Sequence, residues 1–160
     1  MPSVLFVCTA NRFRSPIAAA IFEMRLREIG SNSRWRVESA GTWAEEDLPP
    51  IKEALIESNK RNLDIRSHLS RLIDAKLMKE FDLILVMEAG HKEALLNEFP
   101  DLDEKVYLLS EVGGGDAYSI PDPFLSGDSP EEIAAEIEDL ITIKFDFIYH
   151  ILENREVSLG

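Results

Sequence analysis

The chain has only one cysteine, Cys8, among its 160 residues. One thiol cannot form an internal disulfide bond, which excludes the class of small secreted domains that disulfide bonds hold together. The N-terminal segment "MPSVLFV" has neither a basic stretch nor a signal-like cleavage site, so we expect no secretion signal. Both observations fit a reducing compartment, and we expect a cytoplasmic protein.

Long apolar runs are also missing. The longest, such as "LILVM", fall far short of the roughly 20 residues that a helix needs to cross a bilayer, so we expect no membrane partner. A hydrophobic content of 45% is nevertheless ordinary for a globular protein. A chain of this length is sufficient for one domain with a sizeable core, which we expect to span residues 1–160.

Positive charge is scarce. Lysine and arginine together number 17 against 30 acidic residues, which gives a net charge of -13. This balance favours a solvated acidic surface and argues against a nucleic-acid partner, since nucleic-acid-binding surfaces are basic. Two arginines, Arg12 and Arg14, nevertheless stand close together directly after the cysteine.

Strand and helix patterns alternate along the chain. The segments typical of strands are "SVLFVC", "RWRVESAG", "FDLILVM" and "KVYLLSEV". Helical patterns lie between them, and a long helix follows Pro130. This alternation predicts an α/β fold, an open four-stranded parallel sheet with helices on both faces in three layers. Ser15 and Ser129 are predicted N-caps, and Gly30 is predicted to end the first helix.

The segment "CTANRFRS", residues 8–15, follows directly on the first strand. Ligands of open parallel sheets bind at the carboxyl ends of the strands, where Cys8 lies. A strand-to-helix turn here gathers backbone N–H groups at a helix N-terminus, which suits an anion of phosphate size. Arg14 adds a two-pronged donor, and the positive field favours the thiolate of Cys8. Although free cysteines are often inert core residues, this context predicts a phosphate-binding loop with a nucleophile. The loop residues after Cys8 are Thr9, Ala10, Asn11, Arg12, Phe13, Arg14 and Ser15.

The spacing C-x5-R-S is typical of cysteine-based phosphatases, and no other phosphate-binding motif is present. Together with "VESAGT", "FDLILVME" and "PDPF", the chain resembles the low-molecular-weight protein tyrosine phosphatase family over essentially its whole length. The resemblance implies a metal-independent phosphomonoesterase without a cofactor, whose loop binds a phosphate or sulfate anion. It further implies a phosphocysteine intermediate on Cys8, stabilisation of the phosphoryl oxygens by Arg14, and Asp122 of "PDPF" as general acid and then general base.

The resemblance also implies supporting residues. In the family pattern, Asn11 ties the loop together through a serine and a histidine, here Ser39 and His68, while Ser15 bonds the nucleophilic sulfur. The alternative for His68 is a role at the surface or at a helix start. Trp43 and Phe124 match positions that contact the substrate ring at the pocket mouth, although plain packing accounts equally well for each aromatic side chain.

Three loop positions depart from the family's common pattern, "C-x-G-N-[IT]-C-R-S". Ala10 replaces a glycine and adds strain if that position needs positive φ. Arg12 stands where tyrosine-directed members usually have isoleucine and an arginine-directed relative has threonine. It either recruits an acidic substrate segment or points to solvent. Phe13 replaces a second cysteine that can form a protective disulfide with the nucleophile.

Several activities are compatible with these residues. The leading substrate is phosphotyrosine protein or a small aryl phosphate, and the alternatives are a protein-arginine phosphatase or a small-molecule phosphatase. A thiol-coupled arsenate reductase needs further cysteines, which the chain lacks. A non-catalytic phosphate-binding module needs neither the thiol of Cys8 nor the carboxyl group of Asp122.

Overall fold

Four parallel strands form the centre of the molecule. The computed structural model describes the backbone of residues 1–159 and the side chains of residues 1–155. The strands are β1 (Ser3–Cys8), β2 (Arg36–Gly41), β3 (Leu83–Val86) and β4 (Val106–Leu108). They lie in the order β2-β1-β3-β4, and all neighbouring pairs are parallel, which confirms the predicted sheet. The last residue of β1, Cys8, is paired with the last residue of β2, Gly41.

Helices cover both faces of this sheet. They are α1 (Arg14–Glu28), α2 (Lys52–Lys60), α3 (Ala75–Glu80), α4 (Ala89–Glu98), α5 (Pro123–Ser126) and α6 (Pro130–Leu159). Two short 3₁₀ helices cover Asn32–Arg34 and Pro100–Leu102. Among the residues described, no helix combines the length and apolar character needed to cross a membrane, and this includes the 30-residue α6.

The central strand β1 is buried on both faces, and its side chains alternate between two hydrophobic clusters of the core. Phe6 and Cys8 belong to the cluster formed with α1, α2 and α6, whereas Leu5 and Val7 belong to the cluster formed with α3 and α4. Because side chains alternate along a strand, Cys8 points toward the face that α1 covers. The sulfur therefore lies at the carboxyl end of β1, beneath the turn that leads into α1.

The ends of the helices agree in part with the prediction. Gly30 has φ +71° and follows α1, where the N–H groups of Gly30 and Ser31 bond the carbonyls of Arg27 and Leu26. Ser129 caps α6, because its hydroxyl accepts a hydrogen bond from the N–H of Glu132 at 3.0 Å. Both predictions are confirmed.

The prediction that Ser15 caps α1 is wrong. The helix begins at Arg14, so the N-cap position falls to Phe13, which offers no side-chain acceptor. Ser15 lies inside the first turn, and its hydroxyl contacts Cys8 and Asn11 instead of the helix backbone. The first N–H groups of α1 are consequently not capped by a side chain.

Candidate active site

The turn between β1 and α1 takes only five residues, Thr9 to Phe13. Asn11 makes the sharp change of direction, with a left-handed φ of +60° that asparagine tolerates better than most residues. Ala10 has no positive φ. The strain that a positive φ would impose on an alanine at this position is therefore absent, and the chain turns at the asparagine instead.

The carbonyl oxygens of this turn point outward into the surrounding protein. The carbonyls of three turn residues, Thr9, Asn11 and Arg12, form hydrogen bonds with Trp43 N, His68 Nε2 and Ile51 N, which all follow β2 in sequence. The carbonyl of Cys8, which precedes the turn, accepts the N–H of Thr42 in the same way. In contrast, the backbone N–H groups from Ala10 to Phe13 donate to no acceptor among the residues described. Unpaired N–H groups on the inner side of a turn at a helix N-terminus attract an anion.

Cys8 lies at the floor of this turn, with only 2% of its surface exposed. Its Sγ atom is 2.9 Å from the hydroxyl oxygen of Ser15. That hydroxyl already accepts a hydrogen bond from Nδ2 of Asn11 at 2.8 Å. The proton of the Ser15 hydroxyl is thus available to the sulfur or, at the longer distance of 3.5 Å, to the carbonyl oxygen of Ala40.

Asn11 is fully buried and holds the turn in place through both ends of its amide. Nδ2 also donates to the hydroxyl of Ser39 at 2.9 Å, and Oδ1 accepts from the N–H of Arg71 at 2.9 Å. Nε2 of His68 lies 2.8 Å from the backbone oxygen of Asn11. Burial lowers the pKa of His68 below its ordinary value, so the ring is neutral near pH 7 and its N–H donates to that oxygen. Ser39 and His68 therefore both contact Asn11, the residue to which the resemblance linked them.

Arg14 is almost completely buried, and a carboxylate fixes its guanidinium group. Nη1 donates to Oε2 of Glu88 at 2.8 Å and to the carbonyl of Ile120 at 2.8 Å. Nε makes no hydrogen bond to any residue described. This leaves Nε available to an anion held by the loop.

A histidine links Glu88 to the loop. His91 lies in the first turn of α4, where its Nδ1 accepts the N–H of Glu88 at 3.1 Å. Because Nδ1 is an acceptor, the neutral ring carries its proton on Nε2, which donates to the hydroxyl of Thr9 at 2.7 Å. Burial, followed by the nearby charge of Arg14, lowers the pKa of His91 to about 4. Sequence reasoning missed both Glu88 and His91.

A pocket of about 150 Å³ opens above the thiol. Its walls bring together predicted residues from the loop and from the distant "PDPF" segment, namely Cys8, Ala10, Arg12, Phe13, Arg14, Asp122 and Phe124, together with Ile51, which the sequence did not indicate. No three His, Cys, Asp or Glu side chains among the described residues are grouped so that they could hold a metal ion.

Asp122 reaches the pocket from the N-cap of α5. Its Oδ1 accepts the N–H of Phe124 at 3.0 Å, which orients the carboxyl group at the start of that helix. The preceding segment is attached to the sheet, because the N–H of Ile120 bonds the carbonyl of Met87 at 2.7 Å. The ring of Phe124 meets Phe13 edge-on, with 5.9 Å between ring centroids.

Trp43 is not part of the pocket wall. Its backbone N–H donates to the carbonyl of Thr9 at 3.0 Å, so the residue lies beside the loop. Its side chain is 85% exposed and is not among those that line the pocket. The structure thus places Phe124, but not Trp43, in the wall of this pocket.

Comparisons with known proteins identify the family of the chain. The family described as "Low molecular weight phosphotyrosine protein phosphatase" matches residues 3–150. A low molecular weight protein-tyrosine-phosphatase of Streptomyces coelicolor is 36% identical over 145 residues, covering 84% of this chain and 86% of the relative. A protein-arginine-phosphatase of Bacillus subtilis is 32% identical over 142 residues, covering 86% and 91%.

A solved structure is similar over nearly the whole fold. The crystal structure of a YwlE mutant from Bacillus subtilis has a TM-score of 0.84 at 29% identity, and the match covers 93% of this chain and 99% of the other. The predicted three-layer α/β class is thereby confirmed, as is the resemblance on which the predicted activity depends. The chain belongs to the low molecular weight phosphotyrosine protein phosphatase family.

Proposed function

We propose that this protein hydrolyses phosphate monoesters through a phosphocysteine intermediate on Cys8, with phosphotyrosine protein as the leading substrate. One observation carries the proposal. The loop N–H groups from Ala10 to Phe13 have no acceptor among the described residues and surround a buried thiol, while the loop carbonyls are bonded outward. A phosphate group held by such donors presents its phosphorus to the sulfur.

In the first step the thiolate of Cys8 attacks phosphorus in line with the ester oxygen. The sulfur–phosphorus bond forms while the phosphorus–oxygen bond to the leaving group breaks. Asp122, which lines the same pocket, gives its proton to the departing oxygen. Arg14 and the loop N–H groups stabilise the charge on the three equatorial oxygens, and the carboxylate of Glu88 holds the guanidinium in place.

In the second step water attacks the phosphocysteine. Asp122, now a carboxylate, takes a proton from this water, and the phosphorus–sulfur bond breaks to release inorganic phosphate and the thiolate. The hydroxyl of Ser15, 2.9 Å from the sulfur, donates a hydrogen bond to the leaving thiolate. Asn11 acts as a positioning residue in this step, because its Nδ2 donates a hydrogen bond to the Ser15 hydroxyl oxygen at 2.8 Å.

The pocket wall favours an aryl phosphate. The rings of Phe13 and Phe124 both line the pocket, where they offer apolar contact to a phenyl ring. Arg12 lines the pocket as well, and its positive charge disfavours the cationic guanidinium of a phosphoarginine substrate. Protein-arginine phosphatase is the second candidate, because the relative from Bacillus subtilis carries that name. The single cysteine supports a reducing, cytoplasmic location and leaves no further thiol for arsenate reduction.

The test is pre-steady-state kinetics with an excess of p-nitrophenyl phosphate over enzyme, in EDTA, with wild type, Cys8→Ser and Asp122→Asn. We expect a burst of nitrophenol in the wild type and none in Cys8→Ser. Asp122→Asn should lower kcat by roughly 10²–10⁴-fold, the usual contribution of a general acid. Phosphotyrosine and phosphoarginine peptides, compared next, should favour phosphotyrosine. An inactive wild-type protein that still binds phosphate would identify a binding module, and activity restored only by added metal would contradict the mechanism.

A further inference from the structure

The side chain of Arg12 is fixed at the wall of the pocket. Its Nε donates to the carbonyl of Pro49 at 2.8 Å, and its own backbone oxygen accepts the N–H of Ile51 at 3.2 Å. The residue lines the pocket that contains Cys8, and it is only partly exposed. The guanidinium group is therefore held beside the phosphate loop and does not extend freely into solvent.

The charge of Arg12 is not neutralised within the described part of the protein. Arg14 is paired with Glu88, and most other arginines have carboxylates within 4.0 Å, the pairs including those of Arg25, Arg34, Arg36, Arg61, Arg66 and Arg71. For Arg12 no such pair is formed among residues 1–155, and only Nε takes part in a hydrogen bond. In a chain with a net charge of -13, this leaves a positive charge without a carboxylate partner at the pocket.

The remaining donors of Arg12 suit a second anionic group on the substrate. The two Nη groups form a planar pair of donors that matches the two oxygens of a carboxylate. The phosphate itself has its own donors in the loop N–H groups and in Nε of Arg14. The pocket of about 150 Å³ holds little beyond the phosphate and part of a ring, so the second anion must lie close to the phosphorylated side chain.

We propose that Arg12 forms a carboxylate-binding subsite at the pocket mouth, and that the preferred substrates are phosphotyrosine segments with an acidic residue next to the phosphotyrosine. This inference rests on the proposed function, since it specifies the substrates of the same site. It makes Arg12 a specificity-determining residue whose effect depends on the residues that flank the phosphotyrosine.

The test compares three phosphotyrosine peptides that differ only in the flanking residues, which are glutamate, glutamine or lysine. We expect kcat/KM of the wild type to be roughly three- to tenfold higher for the glutamate peptide than for the glutamine peptide, as for a partly exposed charge-assisted pair. In Arg12→Gln this ratio should fall to about one, and in Arg12→Glu the lysine peptide should become the best substrate. Added salt should reduce the wild-type ratio.

A matched control separates the subsite from a general effect of charge. Lys76→Gln removes one positive charge from an exposed position of α3 and should keep the wild-type ratio. Equal rates for the three peptides in the wild type, or an unchanged ratio in Arg12→Gln, would overturn the proposal.

A second measurement keeps this test independent of catalysis. Calorimetric titration of the same peptides into Cys8→Ser should give the same order of Kd values, and Arg12→Gln in that background should abolish the order. If the wild type hydrolysed nothing while the glutamate peptide still bound best, the proposed function would fail and the subsite would stand. Hydrolysis with no preference among the peptides would overturn the subsite and leave the proposed function standing.

Discussion

His91 makes the folded protein sensitive to acid. In the unfolded chain its imidazole has the ordinary pKa of 6.5, whereas burial and the charge of Arg14 lower the pKa in the folded protein to about 4. As pH falls, the unfolded state therefore takes up the proton first. The stability that the neutral ring contributes is fully present above about pH 6.5 and is lost as pH falls toward about 4.

The size of this effect follows from the two pKa values. Between pH 7 and about pH 5, the linkage amounts to about 2 kcal/mol of the free energy of unfolding. The side chain is only 7% exposed, so solvent screening is slight. In addition, a protonated Nδ1 can no longer accept the N–H of Glu88, which removes the side-chain hydrogen bond at the first turn of α4.

The variant His91→Gln isolates this contribution. Glutamine is a usual residue at this position of a capping box and keeps an acceptor for the N–H of Glu88, but it does not titrate. Urea unfolding at several pH values can be followed by the fluorescence of Trp35, which is buried against Phe22. We expect the wild type to lose about 2 kcal/mol more than His91→Gln between pH 7 and about pH 5.

The controls address the other histidines. His68 also has a lowered pKa and shifts stability in the same direction, but both proteins retain it, so the difference between them reports His91. His150→Gln makes the same chemical change at an exposed site of α6 and serves as the control for the loss of an imidazole group. Equal losses of stability in the wild type and His91→Gln would refute the assigned neutral state and its cause.

Two further predictions concern the loop. Gly41→Ala should destabilise the protein by roughly 1–3 kcal/mol, measured by urea unfolding, and should lower activity, because its Cβ would lie 2.4 Å from the carbonyl oxygen of Thr9 and 2.9 Å from Cβ of Ala44. Wild-type stability in this variant would contradict the described packing. Prolonged peroxide treatment should inactivate the enzyme irreversibly, because Cys8 has no second cysteine with which to form a disulfide. Full recovery of activity with dithiothreitol would count against that prediction.

Local patterns predicted the sheet and the position of the loop well, because the apolar run that ends at Cys8 lies within a few residues of sequence. Asp122 was indicated by the resemblance to the family, and the structure places it in the same pocket wall as Cys8. Ser15 followed by a proline has the local appearance of an N-cap, yet the turn places Phe13 in that position and directs Ser15 toward the sulfur. The four-residue α5 was missed because its proline-rich segment resembles an extended loop.

The residues that support the site electrostatically, Glu88 and His91, could not be predicted from local sequence patterns. Arg14 and Glu88 are 74 positions apart, and Thr9 and His91 are 82 positions apart, so neither contact leaves a pattern within a short window. One indirect signal was present, since Glu88 directly follows the residues of the third predicted strand. The carboxyl end of a strand adjacent to β1 is where a partner for Arg14 had to lie.

The outward bonding of the loop carbonyls has a consequence for turnover. A loop held by Thr42, Trp43, Ile51 and His68 needs no ordering when an anion arrives, so binding free energy is not spent on folding it. Under the proposed mechanism inorganic phosphate is the second product, and we expect it to bind the same preorganised donors as the substrate's phosphoryl group and to compete with it. We therefore expect product inhibition and ligand-linked stabilisation of the fold to share one origin, the backbone of the loop.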